Sequence, residues 1–378
     1  MRTNILSIII LATISLFAQD NIWDNLDKGN YQVGFKVCSL YDSTRTIDNQ
    51  KKYRPIQVST WYPAQVSQNP EPMKYKDYFL LSISEIDFDV PDELVDSSIA
   101  EYKNLLLQNG VNDNAFDEWF NTQMIANKNA IPIERKFPLV IVAQGNYHSA
   151  HHQSFLCEFL ASNGYVVITT PSQTRISGQM TDNAQAVESA EEQAKDMEFA
   201  IRSVSKFNNV DLNNIALIGH SFGGRSTVLL QMKNENVKCI VSLDSGLGLN
   251  TAIDDIKKTP GFNSEKMNVP LLHIYEDDEE FIKPDFTLIN SFNQSEIFLI
   301  KINDMHHFYF SSLGFVSGTI DGFSPASENL AAKYKLVCDI TRDFLNAAFE
   351  HSDKAMESLK NEFSAIADST DFVTFQFK

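Results

Sequence analysis

Short, continuous apolar runs alternate with amphipathic stretches through the middle of the chain. Leu139–Ala143, Tyr165–Thr170, Ile215–Ile218, Val237–Leu243, Leu271–Tyr275 and Ile297–Ile302 carry almost no polar positions. Runs of that length predict strands buried on both faces, as in a parallel sheet. Between them, Gln153–Ser162, Val187–Val204 and Arg225–Met232 show helical spacing. Strand and helix in alternation predict a mostly parallel sheet with helices on both faces. Upstream the period changes to two. Gln32–Val37 and Ile56–Trp61 alternate apolar and polar residues, which predicts half-buried antiparallel strands over 30–39 and 56–61. The hydrophilic stretch Asp42–Arg54 reads as their connection. Residues 66–135 change again. Helical spacing over 77–81, 99–108 and 114–126, broken at Pro91 and Gly110, predicts a helical insertion. In it Phe116, Trp119, Phe120 and Met124 recur on one face, which fits core packing or a lid over a pocket. Beyond the last apolar run, 329–349 and 354–367 read as amphipathic helices. Residues 371–378 alternate, and both an edge strand and a loose tail fit them.

The first residues follow a different logic. Arg2, the apolar run Ile5–Phe17 and Ala18 before a polar stretch read as a secretory signal, 1–18, cleaved after Ala18. That predicts export to the periplasm or the medium. The run is short for a bilayer and no second long apolar segment follows, so stable membrane insertion is not expected. Residues 19–350 then form one domain containing the insertion, and 351–378 a C-terminal extension. A formal charge of −18, spread along the chain, excludes the basic footprint that nucleic acid requires. Cys38, Cys157, Cys239 and Cys338 are far apart, lack metal-ligand spacing and sit in apolar stretches, where they read as small buried hydrophobes. The pattern leaves oligomeric state open.

The chemistry centres on Asn214–Gly224. An apolar run enters Gly219-His220-Ser221-Phe222-Gly223-Gly224 and a helical stretch leaves it. This is the strand, sharp turn and helix that expose a nucleophilic serine, with Ser221 at the tip. Flanking glycines suit a turn that needs close backbone approach and unusual dihedrals. A serine needs a base to take its proton and an acid to orient that base. In an α/β-hydrolase they follow in the order acid, then His. His306 and His307 lie just after the last apolar run. Adjacent residues point in different directions, so only one can face Ser221. For the acid, Asp244 ends the run Val237–Leu243. The rival is Glu276-Asp277-Asp278-Glu279-Glu280 after Leu271–Tyr275, within which Asp277 and Asp278 are the candidates. Five carboxylates in a row also read as a solvated turn. The oxyanion hole needs two backbone N–H groups. Phe222 supplies one, and the loop after Leu139–Ala143 the other, from Asn146 or from Tyr147. His148, His151 and His152 have the spacing of metal ligands on one helix face, but no further ligand motif accompanies them. No metal or organic cofactor is required.

Several segments together resemble a known family. Tyr31–Gly34, Arg54-Pro55-Ile56 with Trp61-Tyr62-Pro63, Pro138–Gly145, Leu160–Tyr165, Gly219–Gly224 and Leu243-Asp244 are similar to platelet-activating-factor acetylhydrolases of the isoform II type. They also resemble the wider dienelactone-hydrolase-like group. The likeness covers about residues 30–65 and 136–320. It implies an α/β-hydrolase fold, with a mostly parallel sheet, helices on both faces and an N-terminal antiparallel pair. It implies Asp244 as the acid, because the family's acid ends the strand after the nucleophile's helix. It implies His307 as the base, because His307–Phe310 fits the family's His-x-x-Phe pattern and His306 does not. Gln144 departs from the His that often precedes the oxyanion glycine, which leaves substrate identity open. The expectation is an exported serine esterase acting on a small-molecule ester with a short acyl or acetyl group, a lipid-like alcohol included. A peptidase or acyltransferase with the same triad, or a non-catalytic binding protein of this fold, are the alternatives.

Overall fold

The computed structural model describes residues 23, 26–46, 52–108, 110–146, 149–172, 183–249, 253–278, 283–318 and 329–378. The segment 1–18 read as a secretory signal, and Tyr147, His148, Glu279 and Glu280, lie outside them. In chain order, β1 (Gln32–Thr46) and β2 (Tyr53–Ala64) precede β3 (Pro72–Lys74), α1 (Tyr75–Ile83), α2 (Asp92–Gln108), α3 (Asp113–Phe120) and β4 (Gln123–Lys128). The alternating centre is β5 (Phe137–Ala143), α4 (Ser154–Ser162), β6 (Val166–Thr169), α5 (Asn183–Val204), β7 (Val210–His220), α6 (Gly223–Gln231), β8 (Val237–Leu243), α7 (Ile253–Lys258), β9 (Leu271–Tyr275) and β10 (Ile297–Ile302). Then come α8 (Ser312–Gly318), α9 (Leu330–Glu350), α10 (Asp353–Ser369) and β11 (Val373–Phe377).

The described strands form one sheet in the order β11-β10-β9-β8-β7-β5-β6-β2-β1-β4-β3. From β6 to β10 the neighbours are parallel, and β1 and β2 are antiparallel. The parallel strands are buried on both faces because two cores enclose them. One face packs α4, α9, α10 and the insertion; the other packs α5, α6 and α7. The strand order reverses between β5 and β7, so their carboxyl ends part and open a crevice, where ligands bind in sheets of this kind.

Two segments depart from the sequence expectation, and two more decide between readings it left open. The pair β1–β2 runs well into the hydrophilic 42–54 stretch, so most of that connection is strand. The insertion is not wholly helical. Its last predicted helix stops at Phe120, and Gln123–Lys128 is a strand lying parallel to β1. Pairing with β1 outweighs the helical spacing that runs on to Met124. The tail 373–377 pairs antiparallel with β10, and Met356, Leu359 and Phe363 of α10 are buried in the same core, so the C-terminal segment completes the sheet. Finally, the insertion's aromatic face is core. Phe116, Trp119, Phe120 and Met124 are buried, and Trp119 packs 5.3 Å from Tyr75.

One buried carboxylate ties the insertion down. Glu158 of α4 is fully buried and accepts the backbone N–H of Ile125 at 2.8 Å and of Ala126 at 3.1 Å. The Tyr78 hydroxyl of α1 donates to its other oxygen, and Tyr78 in turn accepts from Trp61 Nε1 at 2.8 Å. Burial pushes the Glu158 carboxyl up to about 8, against these three donors, which favour its ionised form.

Candidate active site

Ser221 sits between β7 and α6 with φ at +51°. That is a strained position for a residue with a Cβ. It is held by the chain on both sides. Its N–H donates to Leu243 O at 3.1 Å, and its carbonyl accepts from Gly246 N at 2.8 Å. The flanking glycines serve by their small size. A Cβ on Gly219 would lie 2.6 Å from Gly224 Cα, and one on Gly223 would lie 2.2 Å from Ala143 O. The unusual dihedral therefore falls on the serine, and the close approach on the glycines.

His307 opens a short helical turn after β10. Its Nε2 lies 2.9 Å from Ser221 Oγ and its Nδ1 lies 2.5 Å from Asp244 Oδ2. Asp244 is fully buried and, like Ser221, has positive φ, at +40°. Its own N–H donates to Ile274 O at 2.7 Å, continuing the β8–β9 ladder, and Oδ1 accepts the N–H of Glu276 at 3.3 Å. A carboxylate on Nδ1 favours the tautomer in which Nδ1 carries the proton and Nε2 is free to accept one.

The other candidates lie elsewhere. Asp277 pairs with Lys301 at 3.1 Å, and Asp278 accepts the N–H of Asp304 at 2.5 Å. The acidic run is not a wholly solvated turn, because Glu276 is fully buried and accepts from the N–H of Asp278. The ring of His306 packs edge-on against Tyr309, 5.3 Å away. Asn146 and Phe222 belong to the same crevice. β5 and β7 pair at Ala143 and Gly219, and each candidate amide lies three residues beyond that pairing. His152 is buried, and among the described residues no group of three or more His, Cys, Asp or Glu side chains is placed to hold a metal. All four cysteines are free, with Cys157, Cys239 and Cys338 buried. A depression of about 670 Å³ lined by Gln231, Val237 and Pro270 lies at the amino end of β8, away from Ser221.

Residues 125–298 match the dienelactone hydrolase family. The chain has an α/β-hydrolase fold. Among solved structures it is similar to a ferulic acid esterase from Streptomyces cinnamoneus, with a TM-score of 0.61 and 20% identity over 85% of this chain and 90% of that one. At that identity the likeness is one of fold. No curated protein matches the sequence.

The hydrolase domain brings further residues to the site that the motif alone did not single out. His220, one before Ser221, is buried and its ring stacks on His307. Gln193 of α5 is buried against the start of α6 and the end of β5. Behind Asp244, Ser245 Oγ lies 2.5 Å from Ser242 Oγ, which lies 2.7 Å from His273 Nδ1. Burial holds the His273 imidazole down to about 3, so it is neutral there. No helix among the described residues is long and apolar enough to cross a membrane.

Proposed function

We propose that the protein is a serine ester hydrolase that cleaves a small-molecule carboxylic ester through an acyl-enzyme on Ser221. The observation that carries this is the unbroken chain from Asp244 Oδ2 through His307 to Ser221 Oγ, at 2.5 and 2.9 Å. In this mechanism Ser221 Oγ attacks the ester carbonyl carbon and its proton passes to His307 Nε2. The carbonyl oxygen becomes an oxyanion facing the N–H groups of Phe222 and Asn146. Each such donor is typically worth about 10²–10³ in rate. Collapse of the tetrahedral adduct breaks the bond to the alcohol, which leaves with the proton from His307. Water, deprotonated by the same imidazole, then attacks the acyl carbon and frees Ser221. Asp244 stabilises the imidazolium in both halves.

Nothing in this sequence of steps requires a metal or an organic cofactor. The leader at 1–18 supports export, which mass spectrometry of the mature N-terminus after expression in a secreting host tests. A fluorophosphonate probe tests the nucleophile. It should label the wild type and leave Ser221→Ala untouched. Absence of labelling in the folded wild type defeats the proposal. Turnover of acetyl and longer nitrophenyl esters, an acetylated phospholipid and a methyl hydroxycinnamate, beside a peptide amide, then separates the acetylhydrolase and aryl-ester directions from peptidase activity.

A further inference from the structure

The two amides proposed for the oxyanion hole come from separate parts of the chain. Asn146 follows β5 and Phe222 follows β7, and a useful hole requires their N–H groups to converge on one point within a fraction of an ångström. Two features join the segments that carry them. The first is contact: Gly223 lets the start of α6 press on the Ala143 and Gln144 carbonyls, which a Cβ there would meet at 2.2 and 2.8 Å. The second is a single side chain. Gln193 of α5 accepts from Ser226 Oγ of α6 at 2.6 Å and donates from Nε2 to the main-chain oxygen of Gln144 at 2.9 Å. Gln193 is 1% exposed and Ser226 fully buried, so both bonds lie out of water, where a lost partner is costly.

The helix that presents Gln193 is itself anchored. One turn on, Asp196 is fully buried and takes a two-pronged bond from Arg54 of β2, at 2.8 and 2.7 Å. The amide of Gln193 thus reaches the loop from a fixed base. A trans peptide is planar, with its C=O and N–H pointing in opposite directions. Pinning the Gln144 carbonyl therefore fixes the plane of the Gln144–Gly145 peptide and the direction in which the chain leaves towards Asn146.

We infer that Gln193 is a positioning residue of the ester hydrolase, holding the oxyanion loop in register with the nucleophile's helix through Gln144 O and Ser226 Oγ. The inference rests on the function proposed above. Gln193 does not touch substrate. Its contribution falls in the transition state, where charge develops on the carbonyl oxygen, and not in the binding of the neutral ester.

The test uses the full chain and a matched pair of substrates, a nitrophenyl ester and its thiono analogue with sulfur in place of the carbonyl oxygen. Sulfur is larger and a weaker acceptor, so it draws less from a hole shaped for oxygen. Gln193→Met removes both bonds. Gln193→Glu has nearly the same shape and keeps the acceptor for Ser226; assayed above the pH at which this buried carboxyl ionises, it loses the donor to Gln144, which makes it the second variant should the first fail to fold. Active-site titration with a fluorophosphonate corrects for the folded fraction. Since one donor is worth about 10²–10³, its displacement should lower kcat for the oxo ester about 10- to 100-fold. KM should stay near wild type, and the preference for oxo over thiono ester should shrink. A purely structural role lowers both substrates equally and leaves that preference unchanged. If the wild type turns over the ester and both variants keep its oxo/thiono preference, the role of Gln193 is refuted while the esterase reading stands. If the wild type neither turns over esters nor takes the probe, both fall.

Discussion

The imidazole of His220 lies on that of His307, with ring centroids 5.1 Å apart and planes 28° from parallel. Its Nε2 is 3.2 Å from the main-chain oxygen of His307. A carbonyl oxygen can only accept, so His220 carries a proton on Nε2 and donates it there. His220 therefore holds His307 from two sides, by its face and by its main chain. His220→Phe should keep the stacking and lose the bond. At about 1 kcal/mol for such a bond, kcat should fall roughly fivefold. His220→Ala removes both contacts and should cost more. Steady-state kinetics on a nitrophenyl ester, beside thermal unfolding curves, reads the two losses separately. Equal kcat in Phe and Ala variants would show that the ring contributes nothing.

Asp244 and the acidic run differ in what they touch, and their variants should differ accordingly. Asp244→Asn keeps the shape but offers Nδ1 of His307 a donor or a neutral acceptor in place of a carboxylate. By the behaviour of such triads kcat should drop about 10⁴-fold. Asp277→Asn and Asp278→Asn, whose carboxylates face Lys301 and the N–H of Asp304, should stay near wild type. In the same assay His307→Ala should abolish turnover and His306→Ala should not. A normal rate for Asp244→Asn would return the acid to the cluster after β9.

What could be read from the sequence, and what could not, divides along physical lines. The six central strands were legible because parallel strands are apolar on both faces and leave unbroken runs. Ser221 was legible because its turn demands glycines at fixed offsets. Strand β4 was not, because its partner β1 is some ninety residues upstream and local spacing continued the helix through it. Glu276 was hidden in a row of five carboxylates, whose composition says solvent while its place after β9 says core. Gln193 looked like one more polar residue on an acidic helix. One signal was present: it shares the buried stripe of Ala190, Ala194 and Met197, where a polar side chain needs a partner.

Gly223 and Gly261 offer a contrast between two demands on glycine. Gly223→Ala places a methyl 2.2 Å from Ala143 O, so α6 or β5 must shift. Overpacking of this kind costs about 1–3 kcal/mol, and here it also separates Phe222 from Asn146. Both the melting temperature and kcat should fall. Gly261 has φ at +81° and nothing within 4 Å of a built Cβ. Gly261→Ala should cost about 1 kcal/mol in backbone strain and leave kcat unchanged. Calorimetry with parallel kinetics makes the comparison, and a Gly223→Ala enzyme of normal activity would show that the contact between the two segments is slack.

Glu158 gives the fold a pH dependence of definite sign. Its ordinary carboxyl value is 4.5, and burial in the folded chain pushes it up to about 8. Between those values the folded protein holds a proton that the unfolded chain has released, so stability falls as pH rises through that window and levels off above it. The buried His273 works in the opposite direction on the acid side. Held down from 6.5 to about 3, it remains neutral when folded, so it costs stability as pH falls below 6.5. The two are separable by substitution. Glu158→Gln cannot titrate. Its amide presents the same groups as the protonated carboxyl, an oxygen for the N–H groups of Ile125 and Ala126 and a donor towards the Tyr78 oxygen. At pH 5 the variant should therefore melt close to wild type. By pH 8.5 the wild type has lost the stability linked to its proton, and the variant should melt above it. Melting curves from pH 5 to 8.5 measure it directly. A constant offset across that range would mean that Glu158 keeps one protonation state throughout, with its three donors outweighing burial.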